Sequence, residues 1–190
     1  MTNVPDINEG LEGSTGHGPG TLGLVIRRHP QTNARHMDKL SWGLLPHGTE
    51  HPLSAPRPIH ARAETVATQP MFADAFRSRR AIVPANEYFQ RQTKGRTGRR
   101  YVISRADGQP MALAGLWEGF RWPDGRVDRT YCLITIEARG PVAEIHDRMP
   151  LVLDQTDWPV WLGEQPGDVQ ALLRPPPEGT IVCRPVGRRK

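Results

Sequence analysis

The sequence predicts an α+β fold, with a curved antiparallel β-sheet and a few short helices in one domain. Many short runs rich in β-branched and aromatic residues are typical of strands. Turn-forming pairs separate several of these runs: Lys94-Gly95, Asp107-Gly108 and Asp124-Gly125. Helical patterns are fewer and shorter. A chain of 190 residues is long enough to bury one substantial core without disulfide support.

The N-terminal part predicts a flexible leader followed by a β-hairpin. Residues 1–20 are rich in Gly, Asn, Asp, Glu and Pro and show almost no apolar pattern. Residues 21–28 have the pattern of a strand, residues 29–33 that of a turn, and a second strand is expected to end near Trp42. Four prolines in residues 46–58 predict a surface loop, because proline donates no ladder hydrogen bond.

The central part predicts one helix and then a series of strands. Residues 70–80 begin with Pro70, place Phe72 and Phe76 four apart on one face, and carry arginines in the last turn, where they suit the helix dipole. Phe72, Phe76 and Trp117 are expected in the core. The strands expected after this helix are residues 81–83, 87–92, 101–105, 111–120 and 127–137.

The C-terminal part predicts two short surface helices, in residues 157–162 and 168–173, with their apolar side chains turned inward. Residues 181–186 are expected to form a closing strand, and residues 187–190 a solvated basic tail. No internal repeat or domain boundary is evident between these segments. The sequence therefore predicts a single domain over residues 21–186.

Charge and cysteine content limit the classes of function. The net charge of +5 permits nucleic-acid binding without diagnosing it, since an arginine-rich surface also serves solubility. Cys132 and Cys183 have no disulfide or metal-site spacing, which fits a reducing compartment. No signal peptide or membrane-spanning run is present. We expect a cytoplasmic protein that does not bind a membrane and has no metal or other cofactor.

The most informative motif is Ile145–Pro150, which places His146, Asp147 and Arg148 together where no apolar periodicity requires them. A second motif lies upstream at Ile59–Val66. With further motifs in order along the chain, these resemble the SOS-response-associated peptidase (SRAP) family from about Pro19 to Val186. The supporting motifs are Trp42–Pro46, Met71–Ala85, Ala114–Glu118 and Thr135–Ala138.

The resemblance implies a barrel-like core and an activity on abasic sites in single-stranded DNA. Members of the family cap these sites through a cysteine that removal of the initiator Met exposes, whose amine attacks the sugar aldehyde and whose thiol closes a ring. Here the second residue is Thr2. A free Thr2 amine can form an imine, but its hydroxyl closes a ring far less readily than a thiolate. A misassigned start or a truncated chain is an equal alternative.

The helper residues of the family are matched only in part. His146 corresponds to the family histidine, and the resemblance implies that it relays protons. His60 stands where the family has asparagine, and Gln90 stands where it has a glutamate that acts as an acid. Glu87 is offset from Gln90 by three residues, which on a strand points it to the opposite face. A metal held by His60 and His146 lacks an evident third ligand.

The resemblance also implies DNA contacts. Arg62 and Arg148 match positions that hold phosphates, while Arg79 and Arg80 at the helix end are weaker candidates. Trp42 is either a stacking platform for a base or a core residue. The expected partner is single-stranded or junction DNA with abasic sites, bound by a monomer. Alternatives are an active capping enzyme with a Met-Cys start upstream, and a non-catalytic protein-interaction relic of the fold.

Overall fold

A computed structural model of the chain describes residues 18–95 and 98–187. Its elements within these ranges are the strands β1 (Leu22–Arg28), β2 (Arg35–Trp42), β3 (His60–Arg62), β4 (Arg80–Ala85), β5 (Glu87–Arg91), β6 (Arg100–Arg105), β7 (Met111–Arg121), β8 (Val127–Glu137), β9 (Arg148–Pro150) and β10 (Ile181–Pro185), and the helices α1 (Pro70–Ser78), α2 (Gly140–Ala143) and α3 (Trp158–Trp161). Two 3₁₀ turns span Gln155–Asp157 and Gln170–Leu172.

The larger sheet curves into a barrel. Its strand order is β2-β1-β4-β7-β8-β3, and β9 pairs with β8 as a further strand. Strand β2 also pairs with β8 in parallel, through Ser41 opposite Thr130 and Trp42 opposite Tyr131. This pairing closes five strands on themselves, so that β1, β2, β4, β7 and β8 form the barrel wall. The predicted α+β fold with a barrel-like core is confirmed.

A smaller sheet stands beside one end of the barrel. It has the order β10-β6-β5, with antiparallel pairing throughout. Strand β4 of the barrel leads directly into β5, with Asn86 as the single residue between them. The two sheets therefore diverge at this point and leave a space between them.

Apolar side chains pack against both faces of the barrel wall. Strand β7 is buried along nearly its whole length, which explains its continuous apolar sequence. Helix α1 contacts β4 and β7 and buries Phe72 and Phe76, as its four-residue spacing predicts. Trp161 of α3 is fully buried, its ring lies 6.2 Å from that of Phe76, and its Nε1 donates to the Ala81 carbonyl at 2.8 Å.

Most predicted elements are present, with a few differences. The N-terminal hairpin, helix α1, the strands β4 to β8, helix α3 and the closing strand are confirmed, while residues 168–173 form only a 3₁₀ turn. Strands β3 and β9 and helix α2 were not predicted, because each is only three or four residues long and depends on distant partners. The predicted single-domain boundaries stay a prediction, and residues 1–17 of the predicted leader and 188–190 of the tail lie outside the described residues.

Candidate functional site

A cavity of about 620 Å³ opens between the end of the barrel and the smaller sheet. Strands from both sheets contribute to its lining, as does the segment before β9. Six of the residues singled out from the sequence line it together: Trp42, His60, Arg62, Gln90, His146 and Arg148. This convergence matters because the six come from separate stretches of the chain.

Strand β3 places His60 and Arg62 on the cavity side. It runs parallel to β8, with His60 opposite Leu133 and Arg62 opposite Thr135. Ala61 between them is buried, while His60 and Arg62 are exposed, as strand alternation requires. The histidine and the arginine therefore project from the same face of the strand toward the cavity.

The turn before β9 fixes the His146 ring. His146 Nδ1 lies 2.9 Å from the Arg148 backbone nitrogen and 3.1 Å from the Arg148 carbonyl oxygen. His146 is only partly exposed, and it lines the cavity with His60. The site thus has one imidazole whose orientation is set by contacts with the backbone of Arg148.

Partial desolvation in the cavity lowers the pKa of His60 below its ordinary value of 6.5, and the nearby His146 lowers it further. His60 lines the cavity together with Trp42. The two rings meet edge to face, with centroids 6.1 Å apart. His60 is therefore mainly neutral at pH 7 and acts there as a hydrogen-bonding group.

This lowered pKa predicts a pH dependence of stability. The unfolded state binds the His60 proton more tightly than the folded state does, so stability is lost as the pH falls below 6.5 toward the folded pKa. His60→Gln is expected to lose less unfolding free energy than the wild type between pH 7 and pH 5. Urea denaturation at a series of pH values measures this difference, and parallel curves for the two proteins would contradict it.

Arg148 is held by protein groups on one side of the cavity. Its two terminal nitrogens bind the Glu64 carboxylate at 2.6 and 2.9 Å, and Nη2 also donates to the Thr135 carbonyl at 2.6 Å. The Arg148 guanidinium lowers the pKa of Glu64, so the carboxylate stays ionised. Arg148 is therefore fixed in position, and any phosphate must share it with Glu64.

Arg62 is the freer of the two cavity arginines. Within the described part of the chain its guanidinium makes no hydrogen bond or ion pair inside contact distance, although its charge helps to lower the pKa of Glu64. An exposed guanidinium with its five donors uncommitted is suited to bind an incoming oxyanion. The pair thus combines one anchored and one available cation.

Aromatic side chains form one wall of the cavity. Trp42 and Tyr131 stack with ring centroids 6.2 Å apart and an interplanar angle of 9°. Trp42 Nε1 donates to the Ile59 carbonyl at 3.0 Å, which holds the indole at the base of β3. Burial raises the pKa of Tyr131 to about 12. Trp42 is accordingly both packed against its neighbours and open to the cavity.

Gly23 makes room for this wall. A Cβ added at Gly23 would collide with the Tyr131 hydroxyl oxygen. We expect Gly23→Ala to lower the free energy of unfolding by about 1–3 kcal/mol, because the stacked Tyr131 must move. Gly119→Ala is the control, since its nearest contact would be an ordinary 3.8 Å. Chemical denaturation distinguishes them, and equal stability of the two variants would contradict this account of the wall.

Strand β5 contributes Gln90 and a tyrosine that sequence reasoning missed. Tyr88 and Gln90 are half-buried, while Glu87 and the other alternate residues are exposed. Glu87 nevertheless also lines the cavity, at its exposed edge. The Tyr88 hydroxyl is buried and has no hydrogen-bond partner among the described residues, and burial raises its pKa. The two-residue period of β5 was the signal that could have identified Tyr88.

Arg79 and Arg80, the weaker candidates for DNA contacts, do not line the cavity. Arg79 Nη2 bonds to the buried Glu118 at 2.9 Å. Arg80 donates to the carbonyls of Phe76 and Arg77, each at 2.7 Å, and to that of Trp161. Their guanidinium groups are used within the protein because a buried carboxylate and a helix end lie next to them. Their role as DNA contacts stays a prediction.

The two cysteines and the possible metal and membrane features can be checked in the described residues. Burial raises the pKa of Cys132, and it raises that of Cys183 to about 11, so both thiols are poor nucleophiles. In residues 18–95 and 98–187, no three His, Cys, Asp or Glu side chains lie together as metal ligands. No helix in those residues is long and apolar enough to cross a membrane. Thr2 lies outside the described residues.

Similarity to known proteins extends over most of the chain. Abasic site processing protein YoqW of Bacillus subtilis is 32% identical over 143 residues, which cover 73% of this chain and 64% of that protein. Abasic site processing protein YedK of Escherichia coli is 32% identical over 149 residues, covering 77% and 63% respectively. The chain therefore spans just under two thirds of the length of these curated relatives.

Structural similarity agrees with these matches. A crystal structure of a protein from Bordetella bronchiseptica has a TM-score of 0.75 and 27% identity, covering 92% of this chain and 90% of that one. The family model described as SOS response associated peptidase (SRAP) matches residues 5–189. The chain therefore belongs to the SRAP family.

Proposed function

We propose that this protein binds single-stranded DNA at abasic sites, in the DNA damage response, through the cavity between its two sheets. The observation that carries the proposal is the joint presence of two arginines, two histidines and an aromatic wall in one cavity of about 620 Å³. Phosphate, sugar and base each have a suitable partner there. Relatives named abasic site processing proteins support the same substrate class.

The arrangement suggests how a strand is held. Arg62 binds a phosphate directly, while Arg148 adds a second charge from its fixed position beside Glu64. Trp42 stacks on a base flanking the abasic residue, a contact worth about 1–3 kcal/mol. The sugar, which lacks its base, then occupies the space near His60 and His146.

The residues that line the cavity supply only some of the groups that a reaction with an abasic site needs. An abasic sugar in its open form has an aldehyde, which reacts with a primary amine to give an imine and one molecule of water. Among the described residues lining the cavity there is no lysine, so the amine must come from elsewhere, such as the Thr2 α-amine. His146 is placed to transfer the protons. Gln90 cannot replace an acidic glutamate.

We therefore propose that covalent capping is altered or lost. No cysteine is among the described residues that line the cavity. Where no thiol traps the imine, water can add back to it and restore the aldehyde and the free amine. Any adduct should be reversible, and binding should outlast it. Preference for junction DNA, a monomeric state and a cytoplasmic location remain predictions.

Fluorescence anisotropy with a labelled single strand carrying one abasic site tests the proposal. Trp42→Ala is expected to weaken binding by about 5- to 100-fold, because one stacking contact is lost. Trp122→Ala is the control, since Trp122 does not line the cavity. It lies just after the end of β7, and its Nε1 donates to the Asp128 carboxylate. Thermal unfolding of both variants verifies that they fold.

Two outcomes would overturn the proposal that the larger cavity binds abasic single-stranded DNA. The first is an equal affinity of wild type and Trp42→Ala for the abasic strand. The second is the absence of wild-type binding at physiological salt, which would favour the protein-interaction alternative.

A further inference from the structure

A second, smaller cavity lies toward the other end of β1. Its volume is about 170 Å³, and it is lined by Arg27, His29, Pro30, Gln31 and Arg129. It shares no lining residue with the larger cavity. Gly23 borders the larger cavity and Arg27 the smaller one, and four residues of strand separate them by about 13 Å. The two cavities are thus distinct places on the barrel.

Arg27 is a buried charge with one donor unused. Its side chain is 3% exposed, and Nη2 binds Asp38 Oδ2 at 2.7 Å. Its guanidinium carbon lies 4.3 Å from the centre of the Trp117 ring. Arg27 Nε is buried without a hydrogen-bond partner among the described residues. Arg27 Nε is enclosed by protein, so Arg27 contributes a fixed positive charge at the cavity wall rather than a donor to its occupant.

His29 supplies a hydrogen-bond donor to the second cavity. Its Nδ1 accepts the backbone N–H groups of Gln31 and Thr32, each at 3.3 Å. The proton of the neutral ring therefore resides on Nε2, which has no partner in the described part of the protein. The same contacts shape the β1–β2 turn that borders the cavity.

Arg129 supplies another hydrogen-bond donor to the second cavity. It is exposed on β8 and makes no hydrogen bond or ion pair within the described residues. Gly119 stands opposite Arg129 in the β7–β8 pairing, so the partner strand has no side chain there to compete for it. No carboxylate lines the cavity, whereas Asp38 nearby is already paired with Arg27.

We propose that this second cavity binds a phosphate group, with Arg129 and His29 Nε2 as donors and the Arg27 guanidinium as a fixed positive charge in its wall. Two guanidinium groups and an imidazole converge on a space large enough for such an oxyanion. The phosphate comes either from a nucleic-acid strand or from free phosphate in solution. The site is independent of the function proposed for the larger cavity.

Thermal unfolding in sodium phosphate, compared with sodium chloride of the same ionic strength, tests this site. The wild type is expected to melt at a higher temperature in phosphate, because a ligand that binds only the folded state stabilises it. Arg129→Gln and His29→Asn should each weaken phosphate binding by about tenfold, through loss of one charge-assisted or neutral donor. In His29→Asn the side-chain amide oxygen still accepts the turn N–H groups, so the turn is kept.

Arg126→Gln is the matched control, because it removes the same charge from an exposed arginine at the same hairpin, outside the cavity lining. It should keep the full phosphate effect. Absence of a phosphate effect in the wild type would overturn the proposal. An undiminished effect in both Arg129→Gln and His29→Asn would also overturn it.

Single-strand binding by Arg129→Gln identifies the source of the phosphate once the melting experiment has shown the site. A reduced affinity for the strand supports a backbone phosphate as the occupant, and an unchanged affinity supports free phosphate. Arg62→Gln separates this site from the proposed function. It should weaken DNA binding in the larger cavity and leave the phosphate effect on melting intact.

Discussion

Replacing Arg62 and Arg148 together by glutamine is expected to weaken single-strand binding by at least about tenfold, because two charge-assisted phosphate contacts are lost. The slope of log affinity against log salt should become shallower by about 1.4, at about 0.7 per phosphate contact on a single strand. Anisotropy titrations across a range of salt concentrations measure both quantities.

The single variants are expected to differ in stability. Arg62→Gln should leave the free energy of unfolding almost unchanged, since the described structure gives its guanidinium no close partner. Arg148→Gln should lower it, because Glu64 and the Thr135 carbonyl lose their donor. The ion pair of Arg148 with Glu64 is partly exposed, so the loss should stay at about 1 kcal/mol.

Arg121→Gln combined with Arg126→Gln is the control for the double variant. It removes the same two charges from the end of the β7–β8 hairpin, away from the cavity lining. If this control weakened binding as much as the cavity variant, the effect would be one of net charge. If the cavity variant kept its affinity and salt slope, the proposed phosphate contacts would be wrong.

Trp161→Ala is expected to lower the free energy of unfolding by about 3–5 kcal/mol, the usual range for removal of a buried tryptophan. The side chain is fully buried, packs on Phe76, and its Nε1 satisfies the Ala81 carbonyl of β4. Strand β4 continues into the cavity rim, so the loss should also loosen the site. Urea denaturation measures the change.

Trp161→Phe separates the loss of apolar burial from the loss of the Nε1 hydrogen bond, since it keeps most of the apolar area and loses only the hydrogen bond. We expect its loss of unfolding free energy to lie between those of the wild type and Trp161→Ala. Trp122→Ala, at a partly exposed position, should cost clearly less than Trp161→Ala. A loss for Trp161→Ala no greater than that for Trp122→Ala would contradict its role in supporting β4.

Local patterns were sufficient for most of the fold. The pairs ending in Gly95, Gly108 and Gly125 predicted turns, and these glycines have φ of 85°, 74° and 88°, which favour glycine strongly. Strands β3 and β9 escaped prediction because each has only three residues, and neither forms without β8 beside it. Their pairing is a property of the tertiary structure.

The candidate site was predictable in its members and not in its contacts. Resemblance to the family pointed to His60, Arg62 and His146, and the structure gathers them in one cavity. The contacts of Glu64 with Arg148 and of Tyr131 with Trp42 could not be predicted, since they form only when distant strands pair with β8. No sequence pattern predicts that Glu64 binds Arg148, because the two residues are 84 positions apart in the chain and meet only in the folded structure.

The placement of Arg79 and Arg80 shows the limit of composition. Two arginines at the end of a helix suit the helix dipole and also suit DNA, and the sequence does not separate these uses. In the structure Arg79 contacts Glu118, a carboxylate that is 1% exposed inside an otherwise apolar strand. A buried charge requires a partner, and Arg79 provides it.

The most direct test is incubation of the protein with a single strand carrying one abasic site, with and without borohydride, followed by a denaturing gel beside a binding assay on the same strand. The account predicts that the strand is bound and that no adduct survives the gel without borohydride. An adduct stable without reductant would contradict the altered or lost capping, and absence of binding would contradict the proposed function itself.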